Sequence, residues 1–155
     1  MAARVTRTTL PPSSSVWQPV GANDFIDCYA VPCILSPRQA AERAFVFPKW
    51  VKLLMVIRNF FARAVRLNTA PAATDRIGFF PVTHEDADEI VMGFNDRHLD
   101  FRVVIRVEDG RAFGATWVHR HNLLGRIYLL IVLPFHILIM RGSMARIGRA
   151  ETIAD

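Results

Sequence analysis

Cysteine is scarce in this sequence: Cys28 and Cys33 are the only two in 155 residues. They lie five positions apart in one apolar segment, so in an extended strand their side chains point to opposite faces. This spacing gives no disulfide framework and matches no zinc-ligand pattern. We therefore expect two buried free thiols, as in proteins of a reducing compartment.

Acidic residues are missing between Phe47 and Ala73, while basic residues are frequent there. The basic residues of this stretch are Lys49, Lys52, Arg58, Arg63 and Arg66, and the C-terminal part adds Arg126, Arg141, Arg146 and Arg149. The net charge is +5. Basic patches favour anionic partners such as lipid headgroups or acidic ligands. No nucleic-acid-binding module is recognisable, so we expect no nucleic-acid partner.

The sequence also lacks an apolar leader. The N-terminus, MAARVTRTTLPPSSSVW, has no apolar core, and its Ser, Thr and Pro content predicts a disordered arm over residues 1–17. The longest uncharged apolar run, Ile127–Met140, is too short for a helix to cross a hydrocarbon core of roughly 30 Å, and Pro134 interrupts it. We predict a cytoplasmic protein without a transmembrane segment, with one domain over residues 18–150 and a tail over residues 151–155.

Alternation and turn residues predict the order of the elements. An extended segment, Asp24–Ile34, precedes a short helix that begins at Ser36 and Pro37 and a second helix over residues 48–67. Four strands then follow, over Arg76–His84, Glu89–Asn95, Leu99–Glu108 and Arg111–His121. Their short connections require antiparallel pairing. From Leu123 the sequence forms one long apolar helix, which Pro134 should bend.

This order predicts an α+β helix-grip fold. An antiparallel sheet packs on the long C-terminal helix, because no other element is apolar enough to cover the sheet, and two short helices follow the first strand. In the strand after His98, Leu99 and Phe101 favour the core face and place Asp100 and Arg102 on the solvent face. The sequence leaves open the alternative that the face of Asp100 and Arg102 is the concave one, where it would line a cavity. START and Bet v 1-like folds have this arrangement and enclose a cavity between helix and sheet, so analogy predicts a cavity here.

Three segments carry a family resemblance: NDRHLDFR over residues 95–102, HNLLGRIY over residues 121–128 and PFH over residues 134–136. Together with DFIDCYAV and WVKLLMVIRN, they resemble a bacterial family of unknown function, number 2867 in the domain-of-unknown-function series, over roughly residues 20–147. Some members are fused to short-chain dehydrogenase-like domains. This sequence has no glycine-rich dinucleotide loop, so the resemblance implies no cofactor. It implies kinship and fold and brings no established activity.

Histidines close to the long helix are the first candidates for chemistry. His119 and His121 precede the helix, while His136 lies on it, ~20 Å further along than His121. That distance argues against a three-histidine metal site, so we expect no bound metal. The sequence favours His121 and Asn122 as helix caps and His136 as a hydrogen-bonded core residue.

His98 is the second candidate, because Asp96 and Asp100 flank it. A neighbouring carboxylate raises the pKa of an imidazole and can tune it as a general base. Turn chemistry explains Asn95 and Asp96 without any function, but it does not explain His98.

Two functions of different classes stay open. We prefer a binding protein for a small apolar or amphipathic ligand held between helix and sheet, with Arg97 or Arg102 for a ligand carboxylate. The candidate ligand-binding residues are Arg102, Trp117, His119, Tyr128 and His136. The alternative is a small hydrolase, cyclase or isomerase. It would use His98 or His119 as base, with Asp96 or Asp100 as the orienting group.

A third hypothesis is peripheral attachment to an anionic membrane through the basic helix. Its Trp50, Phe60 and Phe61 would suit insertion among lipids. The apolar stripe of the same helix is also what packing on a sheet requires, and core packing is the preferred interpretation. Formation of a homodimer stays open as well.

Overall fold

The described residues form a seven-stranded antiparallel sheet with helices on one face. The computed structural model describes residues 4–64 and 74–149, with side chains in the second helix as far as residue 59. The strands are β1 (Thr6–Arg7), β2 (Phe25–Pro32), β3 (Arg76–Ile77), β4 (Phe80–Glu85), β5 (Glu89–Asn95), β6 (Leu99–Glu108) and β7 (Arg111–Arg120). The helices are α1 (Pro37–Ala44), α2 (Lys49–Ala64) and α3 (Leu123–Gly148). The strand order is β1-β2-β7-β6-β5-β4-β3, and the predicted α+β helix-grip arrangement is confirmed.

Helix α1 begins where its capping residues predict. The Ser36 hydroxyl accepts a hydrogen bond from the Gln39 backbone N–H, the Gln39 side chain accepts one from the Ser36 N–H, and Pro37 occupies the first turn. The helix ends at Ala44. Beyond its end, Phe45 packs into the core. The end of the second predicted helix, residues 65–67, the side chains of Phe60 and Phe61 and the tail over residues 151–155 lie outside the described residues.

The strands from β4 to β7 form the predicted meander. Asp109 and Gly110, both with positive φ, join β6 to β7, which is the hairpin that this dipeptide favours. The single strand predicted over Arg76–His84 is divided into β3 and β4, because the chain turns at Gly78, where φ is 59°. The two halves pair with each other, Ile77 opposite Phe80.

Both faces of the sheet are covered, so the prediction of one solvent-exposed face is wrong. On the helix side, Val103 and Ile105 of β6 pack with Met144 of α3. On the opposite face, which we call the back face, Leu10 and Val16 pack on Val104. The residues that cover the back face belong to the segment predicted to be a disordered arm. Leu10 and Val16 are 1% and 3% exposed, so residues 4–17 are part of the fold as described.

Helix α3 packs on the sheet mainly through its C-terminal part. Its buried residues are Gly125, Met140, Ser143, Met144, Ile147 and Gly148. Gly114 on β7 lets the helix come close, since a Cβ there would lie 2.3 Å from Met144 Sδ. The first four turns of α3 are largely exposed although they are apolar. The helix is also longer than the apolar run suggested, and by length and composition alone it could cross a membrane.

Candidate functional site

A cavity of about 350 Å³ lies between the sheet and the helices α2 and α3, where fold analogy predicts one. Its walls are mainly aromatic and aliphatic. The aromatic residues that line it are Phe25, Phe45, Phe47, Phe79, Phe80, Phe94, Phe101 and Tyr128. Ligand sites of soluble proteins have this composition, with few polar groups among many apolar ones.

Three phenylalanines hold one wall of the cavity in a fixed geometry. The ring of Phe101 on β6 lies 4.7 Å from that of Phe94 on β5 and 5.7 Å from that of Phe80 on β4, both edge to face. The Phe94 and Phe101 backbones pair directly across the two strands. Aromatic pairs prefer edge-to-face packing, so these contacts stabilise the wall.

Polar groups meet at one end of the cavity. Asp27 on β2 and Thr116 on β7 are direct cross-strand partners, and His136 Nε2 on α3 lies 2.9 Å from Asp27 Oδ2. Thr116 and His136 line the cavity, with Asp27 behind them. Among the described residues, Asp27 Oδ1 and Thr116 Oγ1 are buried without a hydrogen-bond partner. An unpartnered buried hydroxyl is costly, and a bound polar group would remove that cost.

A cation lies on the side of the cavity formed by α2 and α3. Arg58 Nε donates a hydrogen bond of 3.1 Å to the Tyr128 hydroxyl, and Arg58 Nη1 donates one of 3.0 Å to Asn59 Oδ1. The described carboxylates form no salt bridge with Arg58. Its positive charge is therefore available to an anionic group at the border of the cavity.

The structure separates the predicted ligand-binding residues into two groups. Tyr128 and His136 line the cavity, whereas Arg102, Trp117 and His119 lie on the back face and do not. The register explains the difference. Arg102 pairs with Trp117 and Asp100 with His119, and directly paired residues share a face. Because Leu99 and Phe101 face the helices, these four residues must face the other way.

Arg102 is already bonded within the back face. Its Nη1 donates to the Phe101 carbonyl and its Nη2 to Asn95 Oδ1, both at 2.7 Å. Burial lowers the pKa of Arg102, although the negative charge of Asp100 opposes this effect. Arg97 does not line the cavity either. The cations that could meet a ligand carboxylate there are Arg58 and Arg76.

Of the catalytic candidates, Asp100 and His119 lie together and His98 lies apart. His119 Nδ1 lies 2.6 Å from Asp24 Oδ1, His121 Nε2 lies 3.0 Å from Asp100 Oδ1, and the two imidazole rings are 5.0 Å apart. His98 instead accepts a 2.9 Å hydrogen bond from Asn122 Nδ2. Carboxylate–imidazole pairs can accept protons. Neither Asp100 nor His119 lines the cavity, so neither of them would contact a ligand bound there.

Asp24 is held as a carboxylate by its neighbours. Burial alone would raise its pKa, but hydrogen bonds from the Gly21 N–H, His119 and the Trp117 Nε1–H outweigh burial and lower it below 3.8. A carboxyl group with a lowered folded-state pKa stabilises the protein above its unfolded pKa, and this contribution disappears as the pH falls through the folded value.

The variant Asp24→Asn should therefore lose about 1 kcal/mol of stability at pH 7 and progressively less below pH ~4. Urea denaturation of both proteins between pH 2 and pH 7 measures the difference. Asp109→Asn, which removes a carboxylate from the exposed β6–β7 turn, serves as the control. A constant Asp24→Asn difference over this range would contradict the stabilising role of the ionised form.

Outside the cavity, three side chains lie close enough together to bind one metal ion. Ligand atoms of His84, Asp86 and Glu89 lie within 4.8 Å of one another. Glu89, however, accepts hydrogen bonds from Ser14 and Ser15, and Asp86 Oδ1 accepts those of two backbone N–H groups. Hydrogen bonding within the fold therefore explains this group without an ion. This group contains none of the three histidines considered above. Those histidines do not converge on one another, since His136 bonds to Asp27 and not to His119 or His121.

Comparison with known protein families shows which family this chain belongs to. Residues 20–143 match the family described as "Protein of unknown function (DUF2867)". The chain belongs to this family. Searches of curated proteins and of solved structures found no match. The DUF2867 match confirms the resemblance and adds no activity.

The segments that resemble DUF2867 come together in the fold. The His98 carbonyl at the β5–β6 turn accepts a hydrogen bond of 2.9 Å from the His121 N–H, and Asn122 caps α3 by accepting from the Gly125 N–H. A Cβ at Gly125 would lie 2.2 Å from the His98 carbonyl oxygen. The segments NDRHLDFR and HNLLGRIY thus hold the β5–β6 turn against the start of α3. The segment PFH places His136 in the cavity.

Sequence reasoning missed three polar residues of the DUF2867 cavity. Asp27 could have been found from the sequence, because it interrupts the series Phe25, Tyr29 and Val31 that faces the helices. Arg58 could have been found as well, since it adjoins the apolar stripe of α2. Thr116 could not have been found, because a threonine in a strand is ordinary.

Proposed function

We propose that this protein binds a small, mainly apolar molecule that carries a hydroxyl or carbonyl group. The main support is the apolar cavity with Thr116 Oγ1, buried and unpartnered, in its lining. A hydroxyl group can donate or accept, so Thr116 suits either ligand group. His136 lines the same end and restricts where the polar group can lie.

The apolar body of the ligand would contact the phenylalanine wall. Burial of apolar surface stabilises a complex by roughly 25 cal/mol per Å². One hydrogen bond to Thr116 adds about 1 kcal/mol and fixes the orientation. Arg58, on the helix side of the cavity, favours an anionic substituent at the outer end of the molecule.

A cavity-filling substitution tests this proposal. Val132 lines the cavity from α3, so Val132→Trp should weaken the binding of 2-naphthol at least about tenfold, as measured by isothermal titration calorimetry. Leu130→Trp is the matched control, because Leu130 lies on the same helix and is 70% exposed. Its affinity should equal that of the original protein. Absence of 2-naphthol binding to the original protein, or equal affinity of both variants, would refute the cavity as a binding site.

A second variant tests the polar contact. Thr116→Val removes the hydroxyl but keeps the shape, so 2-naphthol should bind about fivefold more weakly while naphthalene is unaffected. The unliganded variant should be about 1 kcal/mol more stable, because the buried unpartnered group is gone. Equal loss for both compounds would place the hydroxyl of the ligand elsewhere.

A further inference from the structure

We infer that the outward-facing sides of α2 and α3 form a surface that docks on an anionic lipid bilayer, with the groove between the two helices turned toward the lipid. We call this surface the docking face. Membrane docking does not depend on ligand binding in the cavity.

Exposed apolar side chains are concentrated on the docking face. Among the described residues, every exposed large apolar side chain belongs to residues 34–57 or 123–138. Val56 on α2 is 65% exposed, and Leu130 and Ile131 on α3 are 70% and 64% exposed. Trp50, at the start of α2, is 46% exposed and is of the type that favours the membrane–water interface. A concentration of exposed apolar side chains of this kind marks an interaction site.

The charges of the two helices select the partner. The sequence has no acidic residue from residue 43 to residue 74 or from residue 110 to residue 150. Lys49, Lys52 and Arg126 are exposed on the helices that carry the apolar side chains. The charged side chains described on α2 and α3 are all cationic, and an apolar surface with such charges complements a bilayer with anionic headgroups, where apolar burial and charge attraction add.

The cavity adjoins this face. A groove of about 450 Å³ runs between α2 and α3, lined by exposed residues such as Ile57, Ile127 and Ile131. Met55, Arg58 and Val132 line both the groove and the cavity. The groove is therefore the neighbour of the cavity on the side that would meet the lipid.

The packing of α3 determines how the protein would lie. His136 is tied to Asp27, and Met140, Met144 and Ile147 are buried in the core, so the C-terminal part of the helix cannot leave the sheet. The exposed part, Leu123–Leu138, is about 24 Å long, shorter than a hydrocarbon core of roughly 30 Å. Its inner side also lines the cavity. This geometry favours a helix lying along the membrane surface over one that crosses it.

Flotation with lipid vesicles tests the docking face. The original protein should float with vesicles of phosphatidylglycerol and phosphatidylcholine (3:7) and bind several-fold less to phosphatidylcholine alone. Leu130→Glu and Val56→Glu should each lower the partition coefficient about tenfold or more, since each puts a charge among the apolar side chains. Gln18→Glu adds the same charge at an exposed position before β2 and should bind like the original protein. Lys52→Gln with Arg126→Gln should reduce the preference for anionic vesicles.

Three outcomes would overturn the docking proposal. The first is that the protein does not float at low ionic strength and forms a dimer in light scattering, which Leu130→Glu dissociates. This result would assign the docking face to a second copy of the chain. The second is equal binding of Leu130→Glu and the original protein. The third is retention of the protein in vesicles after an alkaline carbonate wash, which would mean that α3 crosses the membrane. Thr116→Val, which lies in the cavity and not on the docking face, should weaken 2-naphthol binding and still float, so failure of the ligand proposal is distinguishable.

Discussion

Replacing Glu89 by glutamine should lower the free energy of unfolding by about 3 kcal/mol at pH 7. Glu89 is 1% exposed and anchors the N-terminal segment to the back face of the sheet. Its carboxylate accepts hydrogen bonds from the Ser14 hydroxyl at 2.7 Å and the Ser15 N–H at 2.9 Å, and it also bonds the Ser15 hydroxyl. Arg106 Nη1 lies 3.6 Å away and is itself nearly buried. Glutamine has one acceptor oxygen and no charge, so one of the donors loses its acceptor and Arg106 loses its buried counter-charge.

Glu108→Gln is the matched control. Glu108 pairs with the same Arg106 at 2.7 Å but is much more exposed, so its loss should cost much less stability than the loss of Glu89. Urea denaturation measures both. Glu89→Gln should also release the N-terminal segment and speed cleavage by trypsin at Arg7. A change in unfolding free energy as small as that of the control would show that Glu89 does not anchor this segment.

Gly93→Ala should destabilise the protein by about 3 kcal/mol or more. Gly93 has φ of 143°, a conformation that side chains rarely adopt, and a Cβ would lie 2.2 Å from the Phe101 carbonyl oxygen. That oxygen belongs to the backbone of the paired strand, so relief requires β5 and β6 to separate. Separation would displace Phe94 and Phe101, which form the wall of the cavity.

Gly110→Ala separates the two causes of this effect. Gly110 also has positive φ, at 71°, but nothing lies within 4 Å of a Cβ there. The conformational cost alone is about 1 kcal/mol, so Gly110→Ala should lose roughly a third as much stability. Gly93→Ala should in addition weaken 2-naphthol binding, while Gly110→Ala should not. Equal stability losses would indicate that contact with Phe101 is relieved without cost.

Local patterns explain why the elements were predictable. β5 and β6 have the predicted bounds because alternation and the turn residues around Asp96 act within a few positions. The start of α1 was predictable because Ser36, Pro37 and Gln39 cap it locally. The antiparallel meander followed from short connections, which allow no other pairing.

Long-range contacts determine which residues come together in the site. Alternation placed Leu99 and Phe101 on the core face, but the face of Trp117 and His119 depends on the register between β6 and β7, where a slip of one residue would reverse it. Asp27 and His136, 109 positions apart, meet only after the sheet and α3 have packed.

The sequence by itself determined the elements, their order and the antiparallel meander, since these follow from local periodicity and loop length. The tertiary structure alone decided that residues 4–17 cover the back face, that half of α3 stays exposed and that Thr116 and His136 share a cavity. Polar residues such as Ser14 and Glu89 look like solvent-exposed residues until they pair, and an apolar helix looks buried until the available surface of the sheet is known. Burial depends on which surfaces meet, and residue type alone does not specify it.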